Sequence, residues 1–443
     1  MIARHVSRNP HPSRRAAHRI VTGRIVMATV AAALVLAACG GTDSDSPAAE
    51  ESPAADADDG APAVDGAPTT TGPADRATPE TVPQVASSPV DVTLSGLDAL
   101  RSGLPDGAPE PLVPLEEIRS GGPPPDGIPP IDTPRFVPAS AVDFLEENEP
   151  VVVIDVDGES RAYPIQILMW HEIVNDTIAG VPVTVSYCPL CNSAVAYDRR
   201  LDDRILDFGT SGSLWNSALV MYDRQTETLW SHFTAEGLVG ELTGERLDTL
   251  PVATVAWGVW RDANPDALVL STETGFNRNY GRNPYPGYDD IDSSPFLFSG
   301  EVDGTFAAMT RIVGIELDAD ALAIPLFRLQ EERVVEAAVG GIDVVAFWAP
   351  GTASALDAGS VAGGDDIGAT GVFVPEVDGE PLTFSPLSGV DDEFVDDQTG
   401  STWSILGRAV DGPMEGSRLD RVEHLDTFWF AWAAFQPDSA LIE

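Results

Sequence analysis

Two cysteines set three residues apart, in Cys188-Pro189-Leu190-Cys191, carry the most reactive side chains of the sequence, and their spacing puts both sulfurs on one turn. Thiols that close together can share one metal ion or close a strained disulfide. His171, directly after Trp170, adds an imidazole. Two thiolates and one imidazole suit Cu(I), or Zn²⁺ with an open fourth position. A closed zinc site needs a fourth ligand, and His232 and Asp223 are the candidates. Met169 offers a soft sulfur, against the plainer reading of a core methionine. Without a metal, the same residues read as a thiol–disulfide pair in which His171 activates Cys188. They also read as a stabilising disulfide, with His171 hydrogen-bonded in the core. Glu172 and Asn216 have the chemistry of a general base or of groups that orient a water. Asp289, Asp290 and Asp292 follow Tyr288 and offer oxygen ligands to calcium or another ligand, against the plainer reading of an acidic surface loop.

Several chemistries are excluded. A zinc deaminase needs His-x-Glu and a proline directly before the first cysteine, whereas here Glu172 follows His171 and Tyr187 precedes Cys188. No Gly-x-Ser-x-Gly is present for a serine hydrolase. Beyond the leader the only histidines are His171, His232 and His424, and His424 falls outside the matched segments described below. Every cation of the 25 is an arginine, which removes Schiff-base chemistry and a phosphate-loop lysine. A net charge of −45 repels nucleic acid and suits solubility outside the cell.

The N-terminal region addresses the protein. Arg4, Arg8, Arg14, Arg15, Arg19 and Arg24 form a basic leader before an apolar run from Ile25 to Ala38, too short to span a bilayer comfortably. The run ends in Leu36-Ala37-Ala38-Cys39-Gly40, which resembles the bacterial lipobox. Residues 1–38 are therefore read as a lipoprotein signal peptide and Cys39 as the lipidated residue. Its acyl chains would hold the protein on the bilayer at the extracytoplasmic face. With Cys39 committed to lipid, Cys188 and Cys191 are the thiols of the mature fold. Residues 39–95 are rich in Ala, Pro, Asp, Glu, Thr and Ser, and read as a disordered acidic tether. Residues 96–145 read as an extended segment, loose and surface-running between Gly121 and Pro134.

The remainder repeats itself. Arg161-Ala162-Tyr163-Pro164-Ile165 matches Leu322-Ala323-Ile324-Pro325-Leu326, and the register runs on to Tyr187-Cys188-Pro189 against Trp348-Ala349-Pro350. Asp223-Arg224-Gln225-Thr226 and Trp230 match Asp396-Asp397-Gln398-Thr399 and Trp403, and Trp257 and Trp260 match Trp429 and Trp432. The expected fold is mainly β (α+β), with two related β-rich lobes from an internal duplication and few short helices. Copy one spans 146–272 and copy two 312–443. Between them lies a Gly/Pro/Tyr/Asp-rich insertion, 273–311, of the kind that covers a site. Val151 to Tyr163 reads as a hairpin around Asp157-Gly158, and Ile178 to Tyr187 as a second around Ala179-Gly180. Pro164 to Asp176 reads as a short helical or irregular piece, and Val255 to Ala263 as a closing helix. His171, Cys188, Cys191 and His232 fall opposite Glu332, Ala349, Thr352 and Ile405, so the reactive groups belong to copy one and copy two is scaffold.

The segments Ala162-Tyr163-Pro164, Trp170-His171-Glu172-Ile173-Val174-Asn175-Asp176, Tyr187-Cys188-Pro189-Leu190-Cys191 and Tyr280-Gly281-Arg282-Asn283-Pro284-Tyr285 together resemble the bacterial and archaeal domain of unknown function 3179. The resemblance covers essentially all of the folded part and implies no established activity. It implies a family that is often exported, in which His171 and both cysteines fit the pattern while the position of His232 is commonly glutamine. The expectation is a membrane-anchored lipoprotein binding copper or zinc through Cys188, Cys191 and His171. The alternatives are a thiol–disulfide oxidoreductase and a non-enzymatic ligand-binding module, and no protein partner is implied.

Overall fold

The structure, a computed structural model, describes residues 77–442. The basic leader, the apolar run, Cys39 and most of the expected tether lie outside the described residues. The tether boundary at residue 95 is corrected, because residues 77–95 belong to the fold. There β1 (Glu80–Thr81) pairs with residues 135 and 136, Gln84 Nε2 donates to Asp176 Oδ1 at 3.1 Å, and the Ser88 N–H donates to Ile205 O at 2.9 Å. Composition misses such a segment because it is ordered by hydrogen bonds to an existing sheet, with little apolar surface of its own.

After α1 (Gly96–Ser102), whose N-cap Ser95 accepts from the Asp98 N–H, come β2 (Arg119–Ser120) and β3 (Arg135–Pro138). β4 (Pro150–Val156) and β5 (Glu159–Pro164) form the expected hairpin. At its turn Asp157 and Gly158 take φ of 47° and 85°, the left-handed pair that matches the twist of the strands. α2 (Ile165–His171) is shorter than the expected helical piece, because β6 (Ile173–Ile178) already begins two residues on. β6 pairs with β7 (Val181–Cys188), and β8 (Ser193–Asp198) completes a three-stranded sheet. A two-strand hairpin, β9 (Arg200–Leu201) and β10 (Arg204–Ile205), leads into a meander of β11 (Phe208–Trp215), β12 (Ala218–Asp223), β13 (Leu229–Ser231) and β14 (Gly237–Val239), edged by β2. β15 (Val252–Ala256), α3 (Trp257–Ala263) and β16 (Leu268–Leu270) return to the first hairpin, giving a six-stranded sheet in the order β1-β3-β16-β5-β4-β15.

The second half runs through the same order of elements. β17 (Arg311–Leu317) and β18 (Asp320–Pro325) pair, α4 (Leu326–Glu332) follows, and β19 (Val334–Val339), β20 (Ile342–Ala349) and β21 (Ala369–Phe373) form a sheet. A small hairpin, β22 (Glu376–Val377) with β23 (Glu380–Pro381), precedes a meander of β24 (Phe384–Pro386), β25 (Glu393–Asp396), β26 (Thr402–Ser404) and β27 (Ala409–Asp411). β28 (Leu425–Phe428), α5 (Trp429–Phe435) and β29 (Ala440–Leu441) close it. The pairings agree in detail. Val151 opposite Pro164 recurs as Ile312 opposite Pro325, and the parallel pair Leu268 with Arg161 recurs as Ala440 with Leu322.

The protein is mainly β, and all five α-helices of the described residues are seven residues long. No helix among them is long and apolar enough to cross a membrane. The two largest apolar clusters each mix residues of both halves. Phe428, Phe430 and Trp432 pack with Ile167, Tyr187 and Cys188 of the first half, while Val151, Trp257 and Val269 pack with Phe347, Phe394 and Trp403 of the second. Each half completes the other by removing its apolar face from water.

Candidate functional site

β7 ends on Cys188 and β8 begins on Ser193, so the pairing of these two residues across the strands fixes both ends of the turn that carries Cys191. Asn192 takes the left-handed conformation that closes it, φ 51°. The turn is held from outside as well. Tyr288 Oη of the insertion donates to Leu190 O at 3.0 Å, and Thr427 Oγ1 of β28 donates to Cys191 O at 2.7 Å. Both cysteines are free thiols, so the expected disulfide is absent here, and both are buried, at 2% and 0% exposure.

The histidine linked to the thiols, through the hydroxyl of Ser193, is His232. Cys191 Sγ lies 3.1 Å from Ser193 Oγ, Ser193 Oγ lies 2.9 Å from His232 Nε2, and His232 Nδ1 lies 3.0 Å from Ser186 Oγ. The Ser186 hydroxyl donates onward to Glu172 O at 2.9 Å, so His232 donates from Nδ1 and accepts at Nε2. Burial pushes His232 down to about 4, which keeps it neutral. It orders the hydroxyls around Cys191 and does not take up a proton near neutral pH.

His171 is placed elsewhere, which corrects the expected three-ligand set. Its Nδ1 donates to Pro129 O at 2.7 Å, and its Nε2 accepts from Tyr280 Oη at 2.6 Å. Thr274 Oγ1 bonds the same tyrosine. Both ring nitrogens are thus engaged away from the sulfurs, and burial lowers the pKa of the ring. The His171 ring ties the insertion and the 121–134 stretch to α2. That stretch was expected to run over the surface, but Ile131 is buried and exchanges backbone hydrogen bonds with Ile173 and Asn175 of β6. Among the described residues no three His, Cys, Asp or Glu side chains are grouped to hold a metal ion.

The other candidates separate by role. Asp223 accepts from the Trp230 indole N–H at 2.9 Å and from the Thr226 N–H, and Asp396 does the same for Trp403 and Thr399, so this knot belongs to the fold of both halves. Asn216 supplies, with Ser217, the left-handed turn between β11 and β12, φ 49° and 63°. Asn175 spends its amide on Asp132, Thr184 and both backbone groups of Phe208. Met169 is packed in the core. Asp289 is paired with Arg311 at 2.6 Å, while the Asp290 carboxylate accepts the Asp292 N–H, so the three aspartates do not converge on a cation. His424 is buried against Val422 O.

Glu172 remains, and it faces a space. It follows α2 with φ 58°, and its matched residue Arg333 follows α4 with φ 64°, so the left-handed backbone is a helix end common to both halves and not strain peculiar to a site. The side chain lines a cavity of about 340 Å³ together with Leu190, Leu219, Tyr285, Tyr288 and Phe296. A second recess of about 420 Å³ shares Ile128 and Tyr285 with the first and opens beside Trp170 and Arg278. Burial, and then the neighbouring Cys188, push the Glu172 carboxyl up to about 8. Burial alone would also raise the Cys188 thiol. The Cys191 thiol and the N–H groups of Cys191, Leu219 and Leu190 favour its thiolate, and the net shift is downward. Cys191 is pushed up by burial and by Cys188. The result is one thiol prepared to ionise, one that keeps its proton, and a neutral carboxylic acid beside the first.

Sequence reasoning put His171 at the centre and did not single out Ser186 or Ser193. The signal for them was present: two serines on β7 and β8, matched in the second half by the apolar Phe347 and Ala369.

Residues 125–439 match the model of the family described as Protein of unknown function (DUF3179), and the chain belongs to that family. No curated protein and no solved structure matches the chain.

Proposed function

We propose that the protein is an exported lipoprotein, tethered by an acylated Cys39 at the extracytoplasmic face, whose first half is a thiol–disulfide oxidoreductase. On this reading the second half is a copy of the first, retained as scaffold. The observation that carries the reading is the pair of free, adjacent thiols behind a cavity wall that presents the carboxyl of Glu172. Cys188 thiolate attacks one sulfur of a substrate disulfide, the S–S bond breaks, and the leaving thiolate takes the proton of Glu172. The Glu172 carboxylate then removes the proton from Cys191, whose sulfur attacks Cys188 of the mixed disulfide and releases the second thiolate. Two electrons and one proton pass from the protein to the substrate, the second thiolate takes its proton from water, and Cys188 and Cys191 become a disulfide, which a partner dithiol reduces by the reverse steps. The apolar wall of Leu190, Leu219 and Phe296 favours an apolar group next to the reacting sulfur.

A thiophilic ion is the second reading, and the side-by-side burial of two soft sulfurs favours it. Cu(I) is served by Cys188 and Cys191 alone, whereas zinc requires further ligands.

One experiment separates the two. The full-length chain is purified without added metal or chelator, analysed for metals, and equilibrated against dithiol/disulfide buffers while its thiols are counted. A two-electron transition with no bound metal, lost in Cys188→Ser, is expected. One equivalent of copper that disappears in the same variant would replace the redox reading with the metal one, and a pair that neither oxidises nor binds metal would remove both.

A further inference from the structure

Two clefts occupy matching places in the two halves, and their charges differ. In one, of about 360 Å³, Gly314 and Glu316 of β17 face Thr234, Arg246 and Thr249; in the other, of about 310 Å³, Val153 and Asp155 of β4 face Leu406, Arg418 and Arg421. The backbone pairings that frame them correspond: Glu236 with Arg246 and Tyr197 with Thr249 in the first, Arg408 with Arg418 and Phe373 with Arg421 in the second.

In the first cleft Arg246 is offset by Glu316 at 3.6 Å, and Glu423 accepts a hydrogen bond from Thr249. In the second the acid of the cross-strand pair is replaced, so Arg408 stands directly opposite Arg418, an arrangement that costs stability. Arg421 adds a third guanidinium, 4.9 Å from the Phe373 ring centroid, with its Nη1 buried and without a hydrogen-bond partner. Asp155 and Asp420 are the carboxylates lining this cleft, and Asp155 already accepts the Ser160 hydroxyl. Burial, partly offset by Asp155 and deepened by Arg408, lowers Arg421 to about 10, and burial with Arg418 lowers Arg408. In a chain with 70 acidic and 25 basic residues, three arginines gathered around one opening are far from the average surface.

We propose that the cleft of Arg408, Arg418 and Arg421 binds a multivalent oxyanion of the phosphate type. Arg408 already donates to Ala263 O at 3.0 Å and to Asn264 Oδ1 at 2.7 Å, so a tetrahedral dianion accepts from the Arg418 and Arg421 forks and relieves the Arg408–Arg418 repulsion by its charge, whereas a single carboxylate leaves charge uncompensated. The opening also leaves room for an ester group on the phosphate.

The test is calorimetric titration of the full-length chain with inorganic phosphate, run beside sodium chloride at equal ionic strength. One-site binding to phosphate alone is expected. Arg418→Gln, at an exposed side chain that disturbs the fold little, should weaken it by about tenfold or more, and Arg421→Gln by at least as much. Arg246→Gln in the matching cleft and Cys188→Ser should leave it unchanged, the latter separating this site from the thiol chemistry. Heats that follow ionic strength only, or an affinity unmoved by Arg418→Gln, would overturn the proposal.

Discussion

On β7 and β8 the first half carries Ser186, Cys188 and Ser193; on β20 and β21 the second half carries Phe347, Ala349 and Ala369 at the matching register. A second contrast lies one layer away. Arg161, Tyr163 and Asp176 of the first half form a buried cluster, with Asp176 Oδ2 2.5 Å from Arg161 Nη1 and 2.6 Å from Tyr163 Oη. Leu322, Ile324 and Ala337 stand in their places in the second. The strands pair alike in both, so the fold requires neither polar cluster. By contrast the Asp–Thr–Trp knots at Asp223 and Asp396, and the left-handed helix ends at Glu172 and Arg333, occur in both halves and belong to the architecture. What the halves share builds the fold, and what only one of them holds is where chemistry is to be sought.

The comparison can be broken most sharply at the buried ion pair. Removing Asp176 leaves the buried Arg161 with Glu159 as its only acidic partner and takes the acceptor from Tyr163 Oη, so Asp176→Ala should cost about 3 kcal/mol in denaturant unfolding. Installing the second half's residues together, Arg161→Leu with Asp176→Ala, should recover most of it. A double variant as unstable as the single one would mean that the apolar solution of the second half does not transfer.

A smaller effect concerns Glu172, whose matched residue is a cation. Its folded pKa of about 8 lies above the ordinary carboxylate value of 4.5, so between those values the folded state binds the extra proton. Stability from this group is therefore present below about pH 4.5 and declines as pH rises through about 8, by on the order of a few kcal/mol. Glu172→Gln should flatten that decline, as read from unfolding midpoints across the range, and should slow resolution of the mixed disulfide more than its formation. A slope left intact would place the proton on another group.

The smallest effect tests the shared knots. Asp223→Ala and Asp396→Ala each leave a buried indole N–H and a backbone N–H unsatisfied, so each should lose about 2 kcal/mol, with little difference between them. A marked inequality would show that one half bears more of the stability than its matching geometry suggests.

Much of this was legible beforehand, for local reasons. The hairpins at Asp157-Gly158 and Ala179-Gly180 follow from turn residues that tolerate positive φ between alternating strands, and the adjacency of Cys188 and Cys191 follows from three residues of spacing. Which histidine meets the thiols was not legible. His171 is the nearer in sequence, yet α2 carries it toward Pro129 and Tyr280, while His232 arrives from beyond β13 by pairings that join distant segments. The order of residues 77–95 was missed because their partners, backbone groups such as Ile205 O and side chains such as Asp176 and Thr177, come from segments distant in sequence.

The hold of Thr427 and Phe428 on the Cys191 carbonyl has a consequence in time. A chain made from its N-terminus presents Cys188 and Cys191 long before β28 exists to fasten their turn, and a domain closes only when its last partners arrive. Through that interval both sulfurs stand open to whatever oxidants and metals surround the growing chain. The turn that carries the thiols is thus fastened only once the C-terminal strand is in place.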